Sequence, residues 1–363
     1  MTQNVLHISP DFNYACGVSK HVYLLLKELK KNSNYKMFFI TNGGDSLGRL
    51  IDLGINPTII DFNRGNRNVY KLFKNVLSLY IFCKKNKINA IHTHHRYPEL
   101  ISYLVSLFLH IKTVSTVHSL LNNLKFSSFR SEKVIAVSNA VKENLINNFN
   151  VDAKRIVVMY NFIEPFIDVK PEQKERFLKQ HNLSKSDRIM LFAGRINEIK
   201  GSDILLSTFD EISEIRNDIK LMLVGCWELS ATYKNDIQKS SKIILVDPSS
   251  EVAIYYSIST MVVSPSRMDS FPFIMLEAGS ANKPFIGGKT GGIAEFIEDG
   301  VNGLLVEPGN TEDLIRKINY ILDNPDNAKA MAANLNKKVK KIANAEEYIK
   351  VMNDLYLSKH YTC

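Results

Sequence analysis

The sequence predicts an α/β protein made of two doubly wound halves, each built on a parallel sheet. Short apolar runs rich in Val and Ile alternate with longer segments of helical period, which is the pattern of strands joined by crossover helices. This rhythm lapses once, between residues 161 and 187, and then restarts. A chain of 363 residues is long enough for two domains that each bury a core.

The first half contains seven predicted strands, at residues 4–9, 35–41, 57–61, 89–94, 112–118, 133–138 and 155–159. Helices fit between them, notably at 18–31 and 69–85. In the second of these helices an apolar stripe is expected to face the core, with lysines outside it. The stripe consists of Leu72, Val76, Leu79 and Cys83.

The polar stretch at 161–187, with Pro165 and Pro171, is interpreted as an interdomain linker that has room for a short helix. Strands are then predicted at 188–194, 219–225, 242–246, 260–264 and 284–288, with helices at 202–215, 251–256, 311–322, 327–342 and 345–357. The predicted domains are therefore residues 1–165, residues 166–345 and a C-terminal helix, 346–363, that can pack back on the N-terminal domain.

Composition excludes several protein classes. With 45% hydrophobic residues, 17 Gly and 11 Pro, the chain is neither disordered nor collagenous. Its four cysteines form no CxxC pair, so neither a zinc knuckle nor a disulfide framework is expected. The longest apolar run, 100–111, is shorter than the about 20 residues that a spanning helix needs. We therefore expect a cytoplasmic protein, free or peripheral on the inner face of the cell membrane.

Positive charge is concentrated in the first half. Residues 1–165 have a net charge of +11, whereas residues 166–363 have −2. The densest part lies between Phe62 and Pro98, with Arg64, Arg67, Lys71, Lys74, Lys84, Lys85, Lys87 and Arg96. Such a run is either a solvated lysine-rich face or a contact for an anionic membrane surface. Nucleic acid is the less favoured partner for this run.

Two segments of the second half have the chemistry of an anion site. The predicted strand at 188–194 ends at Gly194, and Arg195 and Lys200 then bracket a loop that could hold a diphosphate. Cation-rich loops at strand ends are also common without a ligand. The second segment, 264–278, places Ser270 as a helix N-cap and Pro272 in the first turn, so a positive helix end should be exposed for phosphate.

Asp269 and Glu277, eight residues apart in that segment, have two open interpretations. They could accept hydrogen bonds from sugar hydroxyls, or they could be a helix-dipole partner and a buried structural carboxylate. The next segment, 287–292, holds four glycines, which permit close approach to a ligand or form a tight strand-to-helix turn.

Histidines mark the first half. His92, His94 and His95 suggest a metal site, but no third ligand or carboxylate is suitably spaced in the sequence, so a structural role is expected and no metal. His118 ends the predicted strand at 112–118. It is either a functional side chain at the carboxyl end of the sheet or a satisfied core histidine.

The segments FAGRINEIKG and SPSRMDSFPFIMLEAGSANKPFIGGKTGGIAEFIEDGVNGLLVEPGN resemble the donor-binding half of the family-4 glycosyltransferases. The first half resembles this family in outline, through ISPDFNYACGVSKHV, INAIHTHH, TVSTVHS, KVIAVSNAV and VVMYNFI. The resemblance implies a GT-B fold, with two Rossmann-like domains facing a central cleft. It also implies transfer of a sugar from a nucleotide donor with retention of configuration.

The resemblance also implies roles for individual residues. Arg195 and Lys200 would grip the diphosphate, Asp269 would touch the donor sugar, Glu277 would hold the ribose hydroxyls, and His118 would lie near the transferred sugar. The remaining donor-binding residues are Gly17, Gly194, Ser270, Phe271 and Pro272. The chain departs from the family pattern at three positions: Asp269 stands where Glu is usual, and Pro272 and Asp247 stand where Gly is usual.

The expected activity is that of a hexosyltransferase that uses a UDP-sugar in preference to a GDP-sugar. Its acceptor would be a glycan, lipid-linked, in bacterial-type surface polysaccharide synthesis. The absence of any Asp-x-Asp motif argues against a divalent cation at the diphosphate, so we expect no cofactor. The alternatives are an inactive nucleotide-sugar-binding assembly partner and, less favoured, a nucleotide-sugar epimerase.

Overall fold

The structure is a computed structural model that describes residues 2–62, 69–121, 128–230, 237, 240–248 and 252–357. The chain forms two compact units. One comprises Met1–Asn161 together with Ala345–Cys363, and the other comprises Phe162–Asn344. The polar stretch that the sequence predicts as a linker therefore lies mostly in the second unit, where it contains one helix, Pro171–Gln180.

The N-terminal unit is built on a seven-stranded sheet in which all the strands are parallel. Its strands are β1 Gln3–Ile8, β2 Tyr35–Thr41, β3 Pro57–Ile59, β4 Ala90–Thr93, β5 Lys112–Val117, β6 Lys133–Ala136 and β7 Ile156–Val158. The strand order is β3-β2-β1-β4-β5-β6-β7. The order reverses between β1 and β4, where His7 and His92 are register partners.

Helices cover this sheet. They are α1 Gly17–Lys30, α2 Gly48–Asp52, α3 Val69–Lys85, α4 Arg96–Leu109 and α5 Asn139–Phe149. The predicted inward stripe of α3 is confirmed at Leu79 and Cys83, which are 0% and 1% exposed in the core with Leu6 and Ile91.

The opposite face of α3 is apolar and exposed. Val69, Tyr70, Phe73, Leu77 and Ile81 recur at helical spacing, and Tyr70 and Phe73 are 75% and 68% exposed. Lys74, Lys84 and Lys85 are exposed on the same helix. We call these eight residues the α3 outer face. Single exposed apolar residues are ordinary, but a stripe along one helix is not.

The C-terminal unit is built on a six-stranded parallel sheet. Its strands are β8 Arg188–Ala193, β9 Ile219–Val224, β10 Ile243–Val246, β11 Met261–Ser264, β12 Phe285–Gly288 and β13 Leu304–Val306. The order is β10-β9-β8-β11-β12-β13, so it reverses between β8 and β11. Ligands of such sheets bind outside the carboxyl ends of the strands at the point of reversal.

The helices of this unit are α6 Pro171–Gln180, α7 Ser202–Ile215, α8 Val252–Ile258, α9 Phe273–Ser280, α10 Gly291–Phe296, α11 Thr311–Asp323 and α12 Pro325–Ile342. The last helix of the chain, α13 Ala345–Leu357, belongs to the N-terminal unit. Within the described ranges, no helix combines the length and the apolarity needed to cross a membrane.

The predicted class, two doubly wound parallel-sheet halves, is confirmed. Each of the twelve predicted strands is present with ends shifted by at most two residues. Strand β13 is not predicted from the sequence, because its three residues follow two tight turns and are too few to show a period. The prediction has one more gap. It also did not assign α4, which occupies the longest apolar run of the chain.

Candidate functional site

The loop after β8 is held by its own side chains. Asn197 caps a 3₁₀ turn, Glu198–Lys200, by accepting a hydrogen bond from the Lys200 amide at 3.0 Å. Its side-chain amide donates to Glu228 at 2.6 Å, and the Arg195 guanidinium lies 3.8 Å from that same carboxylate. The Arg195 side chain is 51% exposed, so it stands at the carboxyl end of β8 without being committed to a tight ion pair.

Lys200 and Asp269 are brought together although they are far apart in sequence. The Lys200 ammonium lies 2.5 Å from the Asp269 carboxylate, whose side chain is only 7% exposed. The Ser266 hydroxyl lies 3.4 Å from the same carboxylate oxygen. This pair joins the loops that follow β8 and β11, which are neighbouring strands at the point where the strand order reverses.

A second clamp joins these two loops. Arg267 forms a bidentate ion pair with Asp203 at 2.7 and 2.8 Å, and it also donates to the carbonyl oxygen of Glu198. Its main-chain amide donates to the Ile199 carbonyl at 2.9 Å. A bidentate Arg–carboxylate pair fixes orientation as well as distance. The sequence pattern does not indicate Asn197, Glu228 and Arg267 as positioning residues, because their partners lie on other segments of the chain.

The predicted start of the helix after β11 is wrong. α9 begins at Phe273, its N-cap residue is Pro272 with an extended backbone, and no side chain caps it, so Ser270 is not the N-cap. The reason is steric: a proline disfavours helical geometry in the residue before it, here Phe271, and an N-cap at Ser270 would require Phe271 to be the first helical residue. The positive helix end expected here therefore belongs to the turn that begins at Phe273.

Other predicted donor-binding side chains differ in how they are placed. Phe271 is 3% exposed and packs edge-on against Phe296, with ring centroids 5.4 Å apart. Glu277 is half-buried and accepts a hydrogen bond from the buried Tyr256 hydroxyl. Burial and the adjacent Glu277 charge raise the pKa of Tyr256 well above its usual value, so this phenol remains a donor.

The glycine-rich loop at 287–292 packs closely on other backbone. A Cβ on Gly288 would lie 2.1 Å from the Ser266 carbonyl oxygen, and one on Gly292 would lie 2.0 Å from that of Ser270. The Gly292 amide also donates to the Asp269 carbonyl at 3.1 Å. These two glycines therefore fix the loop that carries Asp269, which favours the tight-turn interpretation at both positions.

In the N-terminal unit, the structure gathers five histidines at the reversal between β1 and β4. His7, His92 and His94 lie on or directly after β1 and β4, His118 follows β5, and His21 projects from α1. The expectation that His92 and His94 lack a third ligand is wrong, because ring nitrogens of His7, His92 and His94 lie within 4.8 Å of one another, as do those of His21, His94 and His118. Sequence spacing could not show this, since the histidines come from four elements.

His118 is placed as predicted at the carboxyl end of β5 and is partly buried. Its Nε2 lies 3.3 Å from His94 Nδ1, and its ring packs edge-on against His21 at 4.7 Å. Gly17 is the first residue of α1 and is exposed.

The site in the C-terminal unit combines fixed cations, a buried carboxylate and a helix start at the edge where ligands of parallel sheets bind. Cations of this kind suit a diphosphate leaving group. The histidine cluster offers neutral nitrogens that can donate or accept one hydrogen bond each. Nitrogen ligands of this type can also hold zinc.

Comparison with known proteins agrees with this chemistry. The model of the family "Glycosyltransferase Family 4" matches residues 15–165, and that of "Glycosyl transferases group 1" matches residues 173–341. An uncharacterized glycosyltransferase of Methanocaldococcus jannaschii is 28% identical over 349 residues, which cover 91% of each chain. A lipopolysaccharide 1,2-N-acetylglucosaminetransferase of Salmonella typhimurium is 27% identical, over 53% of this chain and 64% of its own.

Among solved structures, Alr3699/HepE of Anabaena in complex with UDP and glucose has a TM-score of 0.82 at 17% identity, covering 98% of this chain and 99% of that one. At this identity the likeness concerns the fold. The two family models together cover most of the chain: one includes every strand of the N-terminal sheet except β1, and the other includes the whole C-terminal sheet. The chain therefore belongs to the family-4 glycosyltransferases, enzymes of the GT-B fold class.

Proposed function

We propose that this glycosyltransferase uses a UDP-sugar and binds its diphosphate with Arg195, Lys200 and the first turn of α9. One observation carries the proposal: Lys200 and Asp269 are in contact at the reversal point of the C-terminal sheet, directly before α9. Positive groups there would strengthen their contacts as the departing nucleotide gains charge. The UDP in the Anabaena neighbour supports uracil as the base.

The fixed cations supply the charge that a divalent ion would otherwise provide, so we propose transfer of a hexose without a metal at the diphosphate. Lys200 now neutralises Asp269. A diphosphate would share this ammonium, which leaves the Asp269 carboxylate available to a sugar hydroxyl. Retention of configuration and a contact between His118 and the transferred sugar are part of the same proposal, and both rest on the family resemblance.

For the acceptor we propose a lipid-linked glycan at an anionic membrane surface, as in surface polysaccharide synthesis. The Salmonella relative acts on lipopolysaccharide by its name. Support from this chain comes from the α3 outer face, where an apolar stripe and three lysines lie on one exposed helix surface. Amphipathic helices of this composition lie in the plane of a bilayer interface.

Two experiments test the donor proposal. Thermal unfolding is measured with UDP, GDP and ADP, because a nucleotide that binds only the folded protein raises the melting temperature. We expect UDP to stabilise the wild type and the Lys289→Met variant, but not Arg195→Ala or Lys200→Met. Lys289 is a suitable control because it is exposed and paired with Glu307 at 2.8 Å in the same unit. Stabilisation by GDP or ADP alone would contradict the choice of base.

Activity is then measured with a panel of radiolabelled nucleotide sugars and a membrane lipid extract. Incorporation of label into lipid supports the proposal, and loss of one diphosphate cation should lower kcat by about a hundredfold to a thousandfold. Binding without incorporation would instead support a non-catalytic assembly partner. The observation that motivates this alternative is that the chain has Asp269 where Glu is usual in the family. Conversion of the free donor would support an epimerase.

A further inference from the structure

The five clustered histidines of the N-terminal unit are linked to the end of the chain. Tyr356, in α13, is 3% exposed, and its hydroxyl lies 2.6 Å from His92 Nδ1 and 3.4 Å from His7 Nε2. His92 Nε2 in turn lies 2.7 Å from the Thr116 hydroxyl. Each of these groups sits at the reversal point between β1 and β4 or packs directly on it.

From Tyr356 a continuous line of ring nitrogens leads to His118. His7 Nδ1 lies 3.4 Å from His94 Nε2, and His94 Nδ1 lies 3.3 Å from His118 Nε2. His7 and His94 each use one ring nitrogen for the contact on the Tyr356 side and the other ring nitrogen for the contact on the His118 side. A neutral imidazole has one donor and one acceptor, and the direction of one link therefore fixes the direction of the next.

The rings of this line are neutral at physiological pH. Burial and the neighbouring His21 lower the pKa of His7 to about 3. Burial and the neighbouring rings lower the pKa values of His92 and His94 well below the usual value, and His118 is affected in the same way. With one proton on each ring, only two arrangements satisfy the whole line, one the reverse of the other.

The shortest contact selects between these arrangements. Tyr356 has a single hydroxyl proton, and we assign it to the shortest contact of this hydroxyl, 2.6 Å to His92 Nδ1, so that Tyr356 donates to His92. The Tyr356 oxygen then accepts from His7 Nε2, His7 Nδ1 accepts from His94, and His94 Nδ1 accepts from His118. In this order His118 carries its proton on Nε2 and leaves Nδ1 bare.

We propose that Tyr356 is a positioning residue that sets, through His7 and His94, which nitrogen of His118 carries the proton. The inference rests on the proposed function in one respect, the contact of His118 with the transferred sugar. It assigns a role to the last helix of the chain, because α13 supplies the phenol that orients the line.

A metal ion is the competing explanation of the cluster, and the contacts favour the hydrogen-bonded line. Both nitrogens of His92 already lie within 2.7 Å of hydroxyl groups. The His21 Nδ1 lies 3.0 Å from the Asn161 side-chain oxygen. Both histidine trios contain neutral ligands alone, so a buried divalent ion would have no anionic ligand among them.

The test is nitrogen-15 NMR of the full chain labelled in its histidines, in which protonated and bare ring nitrogens have well-separated signals. Tyr356→Phe removes the hydroxyl and leaves His7 Nε2 without its acceptor. We expect the proton to move to Nδ1 in His7, His94 and His118 together. Single His→Gln variants assign the signals, and circular dichroism verifies folding.

Tyr348→Phe is the matched control. Tyr348 lies in the same helix, is 5% exposed and contacts His21 Nε2 at 3.3 Å instead of His7. Its removal should leave the signals of His7 and His94 unchanged. Unchanged signals of all three rings in Tyr356→Phe would overturn the proposal, as would stoichiometric binding of added Zn²⁺ to these rings in the wild type.

Activity provides a second readout. Tyr356→Phe should lower kcat about three- to tenfold, the effect of losing one oriented hydrogen bond, with an unchanged KM for the donor. Tyr348→Phe should keep the wild-type kcat. If the wild type transfers no sugar, the proposed function fails, while the NMR result still decides whether the line exists. A proton shift without a change in kcat would overturn the role of Tyr356 in positioning.

Discussion

Gly201 shows how a single residue holds together the two loops of the proposed donor site. Its φ is 71°, and a Cβ there would lie 2.1 Å from the Pro265 carbonyl oxygen. The residue therefore serves both as the left-handed end of the 3₁₀ turn and as the point where the loop after β8 touches the loop after β11. Only glycine satisfies both conditions.

Alanine substitutions at two glycines distinguish the backbone strain from the steric clash. Gly300 has a similar φ, 77°, but no atom lies within 4 Å of its added Cβ. Gly300→Ala should thus lower the free energy of unfolding by about 1–2 kcal/mol from backbone strain. Gly201→Ala should lose a further 1–3 kcal/mol or so from the clash, and also UDP binding. Urea unfolding measures both variants, and equal losses would contradict the close approach.

Asp269 departs from the family pattern, in which Glu is usual at this position, and the structure shows what the shorter side chain contacts. Its shorter side chain already reaches the Lys200 ammonium at 2.5 Å and accepts from buried Ser266. The carboxylate is thus well anchored despite the missing methylene. This anchoring supports the proposed donor site over the alternative of an inactive protein.

Helix α3 has an exposed apolar surface that a unit surrounded only by water would not require. One face packs in the core through Leu79 and Cys83, while the α3 outer face carries apolar side chains between lysines. Lys71, which the sequence places in the basic run, is paired with Asp61 at 2.9 Å. Arg64 and Arg67 lie outside the described residues.

Sedimentation with anionic vesicles tests the membrane proposal at this helix. Changing Lys74, Lys84 and Lys85 together to Glu should weaken binding by at least a hundredfold, since each lysine near an anionic leaflet contributes about 1 kcal/mol. Changing Phe73, Leu77 and Ile81 together to Ser should weaken the binding that persists at high salt.

The control for charge reversal is the triple change of Lys337, Lys340 and Lys341 to Glu. These lysines are exposed on α12, in the other unit. This variant should sediment like the wild type. If the α3 variants also sediment like the wild type, the lysines of α3 are a solvated face and the membrane proposal fails.

In the N-terminal unit, the histidine cluster joins a strand and a helix whose contacting residues are 349 positions apart in sequence. His7 lies in β1 and Tyr356 in α13, and both contact the centre of the N-terminal sheet. Burial keeps all five rings neutral, with the pKa of His7 lowered to about 3 and that of His21 to about 4. The fold of this unit should therefore be sensitive to acid.

The sign follows from proton binding. Unfolded histidines bind protons as the pH falls below about 6.5, whereas the buried ones do not, so the stabilisation present above pH 6.5 is lost towards pH 4. The free energy of unfolding should fall by more than about 1.4 kcal/mol per pH unit between pH 6 and 5. Urea unfolding followed by circular dichroism measures this slope.

His7→Asn should make the slope shallower by about one proton, or about 1.4 kcal/mol per pH unit. His110→Asn is the control, because His110 is exposed and has a left-handed backbone that asparagine tolerates. It should keep the wild-type slope. A flat profile between pH 6 and 5 in the wild type would show that the cluster is not neutral in the folded state.

The alternation of strands and helices can be assigned from the sequence alone, because apolar periodicity is local and survives in a one-dimensional pattern. The sequence has one further use. It also placed Arg195, Lys200 and His118 at strand ends, since a strand's end is marked by where its apolar run stops. The start of α9 was predicted too early. The physical reason is local: a proline disfavours helical geometry in the residue before it, here Phe271.

Which of these residues contact one another depends on how the chain folds. Lys200 contacts Asp269, and Arg267 contacts Asp203. His94 contacts both His7 and His118. These residues lie on loops and strands that are far apart in the chain. Such contacts depend on strand order, and no pattern along the chain encodes which strand lies beside which. The strands can therefore be assigned from the sequence. The site, in contrast, forms only where the folded sheet reverses its strand order.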